Sequence, residues 1–149
     1  MRKRTKAGRA ASNDFQSLTV RQVMAKRPQS VRLGTRANAI AALMAEGCGA
    51  VPVVDGAKKL VGIVSEHDLL AASDGGHPLK AVTAGDIMTA NPYAIPQETT
   101  LGTLVHVLSA SDLVRVPVVD HEGRVVGIVA RRDLLRTYLK TRQQKAGRR

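Results

Sequence analysis

An α+β fold close to the α/β class, made of two copies of a strand-helix-strand-strand-helix unit related by a pseudo-twofold axis, is what this sequence predicts. Three observations carry that expectation. Val51-Pro52-Val53-Val54-Asp55 recurs unchanged 65 positions later as Val116-Pro117-Val118-Val119-Asp120. At the same displacement the ten residues from Val61 to Leu70 are matched at seven positions by Val126 to Leu135. Upstream, Val23-Met24-Ala25-Lys26-Arg27-Pro28 corresponds to Ile87-Met88-Thr89-Ala90-Asn91-Pro92 at a displacement of 64, so the second copy carries one extra residue before its VPVVD strand. Two copies at so long a period do not make a solenoid; they make a pair packed face to face.

The elements follow in order. Val20, Val23 and Met24 lie at helical spacing, and Pro28 is expected to end that short helix because the residue before a proline is pushed out of the helical region. A short extended piece spans Ser30 to Leu33. Thr35 is the expected N-cap of a helix whose apolar face is Ile40, Leu43 and Met44 and whose stop is Gly47. The corresponding stripe in the second copy is Leu101, Leu104, Val105 and Leu108. Val51 to Val54 form a strand, Asp55-Gly56 supply the turn, and Leu60 to Val64 form the return strand. A second helix begins near Ser65. Because both strands are nearly continuous apolar runs, the sheets are expected to be buried on both faces. A unit shorter than about 70 residues has a marginal core on its own, so the two copies should stabilise each other.

This places a first repeat at 17–78, a second at 79–138, a basic flexible tail at 1–16 and a basic tail at 139–149, with Gly75, Gly76 and Pro78 marking the connection. The net charge of +11 resides in the ends. Residues 1–12 hold five basic side chains and no acid, and 131–149 hold eight against one, whereas 13–130 carry ten basic and eleven acidic residues. The body is neutral, so the charge does not by itself define a nucleic-acid-binding fold. The scarcity of aromatics, no Trp, two Tyr and one Phe among 149 residues, argues against a surface that stacks bases or sugar rings. One cysteine, Cys48, makes no intramolecular disulfide, and no Cys/His set has metal-ligand spacing. Apolar runs break well before the roughly 18 residues of a membrane span, and no apolar segment follows the basic start. A cytoplasmic protein is the expectation.

The Ile87-Met88-Thr89-Ala90-Asn91-Pro92 opening, the VPVVD strands and the Gly62-Ile63-Val64-Ser65 and Gly127-Ile128-Val129-Ala130 segments, each with Asp-Leu-Leu downstream, resemble paired cystathionine-β-synthase (CBS) domains, the tandem arrangement called a Bateman module. The likeness covers roughly 17–138. It implies a non-catalytic regulatory module, commonly a homodimer, that binds an adenosine-containing ligand (AMP, ADP or ATP, S-adenosylmethionine or NAD) between the copies. No catalytic cofactor is implied. An effector protein is the expected downstream partner.

The resemblance also implies site residues. Ser65 and Asp68 match a hydroxyl and a carboxylate that contact ribose in the family; physically, Ser65-x-x-Asp68 reads equally as a helix N-cap with an acidic third residue. In the second copy Asp133 is kept but Ala130 replaces the hydroxyl, so the second ribose pocket is expected to be the weaker. Arg131 and Arg132 follow, facing phosphate or solvent. Arg115 stands where nucleotide-binding members carry the Arg of a His-Arg pair, with Val114 in place of the His, and the resemblance puts it in one cleft with Ser65 and Asp68. A surface Arg paired with an acid is the alternative. Val31 and Ile95 occupy positions that pack on adenine in the family, or are simply core. Catalytic and metal-ligating residues are expected to be none: the four histidines have no nucleophile partner, and phosphate loops and nucleophile elbows are missing. The competing reading is a nucleic-acid-associated protein that binds through its basic tails, the paired repeats acting only as a dimerisation scaffold.

Overall fold

The computed structural model describes residues 15–147. In chain order the elements are α1 (Val20–Val23), β1 (Ala25–Lys26), α2 (Ala37–Ala45), β2 (Ala50–Val54), β3 (Leu60–Ser65), α3 (Glu66–Asp74), a 3-10 turn (Leu79–Ala81), α4 (Ala84–Ile87), β4 (Thr89–Ala90), β5 (Ile95–Pro96), α5 (Leu101–Ser109), β6 (Arg115–Val119), β7 (Val125–Ala130) and α6 (Arg131–Gly147). Each copy thus realises the expected order, the leading strand being β5 in one and the single parallel bridge of Val31 to Val53 in the other.

The sheets reveal what the repeat alone does not. One has the order β1-β7-β6-β5 and the other β2-β3-β4. The opening segment of the first copy therefore docks on the sheet of the second, Ala25 opposite Ile128 and Lys26 opposite Gly127, while Gly62 and Ile63 of the first copy pair with Ala90 and Thr89 of the second. The exchange is reciprocal in its hydrogen bonds. Val20 N–H donates to Thr99 O and Leu101 N–H to Leu18 O; in mirror fashion Ala84 N–H donates to Thr35 O and Ala37 N–H to Val82 O. The cores follow suit. Val20 and Met24 are buried with Leu101, Leu104, Val116 and Val129, whereas Ala84 is buried with Ile40, Val51, Val53 and Val64. At the far end the two hairpins clasp through Leu60 N–H to Gly123 O and Val125 N–H to Lys58 O.

Several local expectations shift. The first helix stops at Val23, because Met24 is already extended (ψ 153°), four residues before Pro28. Thr35 is one residue too early to cap α2: its Oγ accepts from Arg32 N–H, and Arg36 is the N-cap. Gly47, at φ 116°, follows the C-cap as expected. In the first hairpin the left-handed residue is Lys58 (φ 65°) rather than Gly56, since Asp55 Oδ1 accepts from Ala57 N–H and Lys59 N–H and fixes the loop around itself. The VPVV segments are buried almost throughout, but β3 and β7 alternate between buried and half-buried residues, so only β2 and β6 are covered on both faces. The expected tail at 139–149 is helical as far as Gly147. Nearly all of the expected tail at 1–16 lies outside the described residues.

Asp55 and Asp120 occupy the same place in the two hairpins. The N–H groups of Lys59 and Ala57 hold the Asp55 carboxyl below the ordinary 3.8, and the N–H of Arg124, then that of Glu122, does the same for Asp120. A lowered folded-state pKa gives stability that is complete above the ordinary value and lost as pH falls through the lower one. Asp55→Asn combined with Asp120→Asn is therefore expected to flatten the acid limb of the stability curve below about pH 4, followed by urea melts across that range. An unchanged limb would assign acid lability to other groups.

Candidate functional site

Three arginines, one carboxylate and a glycine-rich turn meet in a cleft of about 320 Å³ where the two halves touch, a size at the lower end of the roughly 300–1,000 Å³ typical of small-molecule sites. The first half contributes Gly47 to Ala50, the turn between α2 and β2. The exchanged opening segment contributes Ala25 and Pro28, and the second half contributes Arg115, Ala130 and Asp133 together with Arg132 and Arg136.

Register explains this grouping. Arg115 opens β6 and lies opposite Ala130, the last residue of β7, so the chain reaches Asp133 within the first turn of α6. The carboxylate is held in place, its Oδ2 accepting from Ala130 N–H at 2.8 Å. The Arg115 side chain extends across the seam and occupies the space beside Gly49 that a Cβ there would fill. A side chain at 49 would thus displace the flexible end of Arg115 from its place in the cleft, which the sequence context of Gly49 does not announce. Arg136 is likewise new; its spacing of four from Arg132 on one helix was the available signal.

The structure divides the expected site residues between two clefts. The cleft of Arg115 contains Asp133, not Ser65 and Asp68, because strand pairing brings Arg115 to its own half's second helix. Asp68 lines a separate, more open cleft of about 450 Å³ with His77, Val82 and Asp86. Ser65 and Asp68 form a full capping box on α3: Asp68 Oδ2 accepts from Ser65 N–H at 2.8 Å and from Ser65 Oγ–H at 3.0 Å, and Ser65 Oγ accepts from Asp68 N–H at 3.3 Å. In α6 only the carboxylate half of that box remains, since Ala130 has no hydroxyl. Ala130→Ser should supply the missing acceptor and raise stability by about 0.5–2 kcal/mol, read from denaturant midpoints; no gain would mean that the first turn of α6 is already satisfied.

Val31 and Ile95 are 7% and 3% exposed, each inside one core, and neither lines the seam cleft. The apolar surface offered there belongs to Ala25, Pro28, Val114 and Ile128. Among the described residues no group of three or more His, Cys, Asp or Glu is placed to hold a metal ion. No helix among them is long and apolar enough to cross a membrane.

Two repeats that exchange their opening segments and share a cleft at their seam define a paired-repeat fold. The family model for the CBS domain matches residues 20–75 and again 84–140, and the chain belongs to that family. Among curated relatives, the inosine-5'-monophosphate dehydrogenase of Methanocaldococcus jannaschii is 34% identical over 100 residues, which is 66% of this chain and 19% of the enzyme. The chain spans a quarter or less of the first curated relatives it matches. Among solved structures, CBSX2 in complex with AMP is 30% identical with a TM-score of 0.74, over 83% of this chain and 98% of that one. The CBS domain pair of protein MJ0100 in complex with 5'-methylthioadenosine and S-adenosyl-L-methionine is 28% identical with a TM-score of 0.72, over 81% and 98%.

Proposed function

We propose that this protein is a non-catalytic regulatory module that binds an adenosine-containing ligand in the seam cleft. The observation that carries the reading is the convergence of Arg115, Asp133 and the start of α6 on one cleft that both halves line. Asp133 accepts hydrogen bonds from the ribose diol, and the Arg115 guanidinium presents a planar fork to phosphate. Of the first-turn N–H groups of α6, that of Arg131 donates to Val114 O, and those of Arg132 and Asp133, with no hydroxyl at residue 130 to accept from them, favour an anion. Adenine packs on Pro28, Val114 and Ile128 in place of Val31 and Ile95. The similarity to CBS pairs crystallised with AMP and with S-adenosyl-L-methionine supports the ligand class.

Such a ligand touches both halves at once, so it favours whichever arrangement of the seam fits it better and shifts the population toward that arrangement. In this reading the effector, and the second protomer of a cytoplasmic homodimer, sense that shift.

Isothermal titration with AMP, supported by melting curves, tests the site. A ligand at about 100 times its dissociation constant raises stability by about 2.7 kcal/mol. Asp133→Ala and Arg115→Ala each remove charge-assisted bonds worth about 1.5–3 kcal/mol apiece, hence roughly 10- to 150-fold in affinity per bond. Asp68→Ala should weaken the α3 cap and leave that affinity intact. Unchanged affinity in both seam variants, or a loss only in Asp68→Ala, would overturn the assignment.

A further inference from the structure

The seam cleft sets three arginines against one carboxylate. Arg115 enters it from β6, and Arg132 and Arg136 enter from successive turns of α6. The ion pairs among the described residues join Arg124 to Asp120 and Glu122; none involves these three arginines. The single carboxylate of the cleft, Asp133, spends one oxygen on Ala130 N–H. Three like charges facing one cavity repel, and an anion of matching length relieves them. Residues four apart on a helix are offset by about 6 Å along its axis, so Arg132 and Arg136 leave α6 one turn apart, while Arg115 comes from β6 and lies beside Gly49. A phosphate chain spans that offset and meets the successive forks better than a single phosphate does. The repeat does not dictate this charge: at the displacement of 65 the counterparts of Arg115, Arg132 and Arg136 are Ala50, His67 and Ala71.

We infer that, granted the adenosine-ligand reading above, the cleft selects an adenosine di- or triphosphate over the monophosphate and disfavours the cationic S-adenosylmethionine. The test is titration of the full chain with ATP, ADP, AMP and S-adenosylmethionine at one ionic strength in magnesium-free buffer. The same series is run on the Arg132→Gln/Arg136→Gln double variant. ATP is expected to bind about 10-fold or more tighter than AMP, the equivalent of at least one added charge-assisted bond, with S-adenosylmethionine weakest. The double variant should lose the ATP advantage, its affinity for ATP falling further than its affinity for AMP, while an unchanged circular dichroism spectrum and melting temperature report that it is folded. Equal affinities for ATP and AMP in the unaltered chain, or an equal loss of both in the variant, would overturn the inference. Inorganic triphosphate binding as tightly as ATP would overturn it too, since adenosine would then not be read. Failure of all four ligands to bind the unaltered chain would instead overturn the reading on which it rests.

Discussion

Truncating Met24 to alanine is expected to weaken the half of the molecule to which Met24 does not belong in sequence. Its side chain is 9% exposed and packs in the core of Leu101, Leu104, Val116, Val118 and Val129. Buried Met-to-Ala changes cost about 2–5 kcal/mol through lost apolar transfer and the cavity left behind. For a chain of this size that lowers the melting temperature by roughly 2–4 °C per kcal/mol. The location of the effect is the sharper readout. Native-state hydrogen exchange should speed up first in α5, β6 and β7, more than 70 residues away in sequence, and leave β2 and β3 close to their original protection. Faster exchange confined to residues 31–69 would mean that the opening segment does not dock where the structure puts it.

The second large effect comes from a smaller atom count. Gly127 lies in β7 directly under that same methionine: a Cβ there would run into the Met24 thioether and stand 3.1 Å from the Ala25 carbonyl oxygen. Gly62 in β3 has the same relation to Met88, with the Thr89 carbonyl oxygen at 3.1 Å. Gly127→Val should therefore cost about 1–3 kcal/mol by overpacking, because the backbone carbonyl cannot move aside as a side chain does. Combining Gly127→Val with Met24→Ala should be less damaging than the sum of the two, with a coupling of about 0.5–3 kcal/mol. Strict additivity in a double-mutant cycle would show that the methionine and the glycine do not share the contact.

These two glycines show where the sequence was readable. The repeated V-G-I-V segments stood out as strands, and VPVVD, the helix stripes and Ser65 as the start of a helix could all be placed, because periodicity and cap chemistry act over a few residues. The partner of each opening helix could not be placed. Val20-x-x-Val23-Met24 presents one apolar face to whichever core accepts it, and two near-identical copies offer two near-identical cores. The site was half legible for the same reason. Arg115 and Asp133 were singled out individually, but their meeting depends on the β6–β7 register, and the resemblance had paired Arg115 with the carboxylate of the other half. The helix beyond Leu139 was missed because it is polar on all sides; its Gln, Lys, Arg and Ala residues favour helix without leaving an apolar stripe.

The reciprocal docking of the opening segments has a consequence for ancestry and stoichiometry. A chain carrying just one copy would possess a core lacking its lid and a lid lacking its core, and two such chains would complete one another as an intertwined symmetric pair. Joining them end to end turns that encounter into an intramolecular one, replacing a concentration-dependent assembly with a fixed local concentration. Symmetry between the halves is then no longer enforced, so one side is free to gather arginines that the other never acquires.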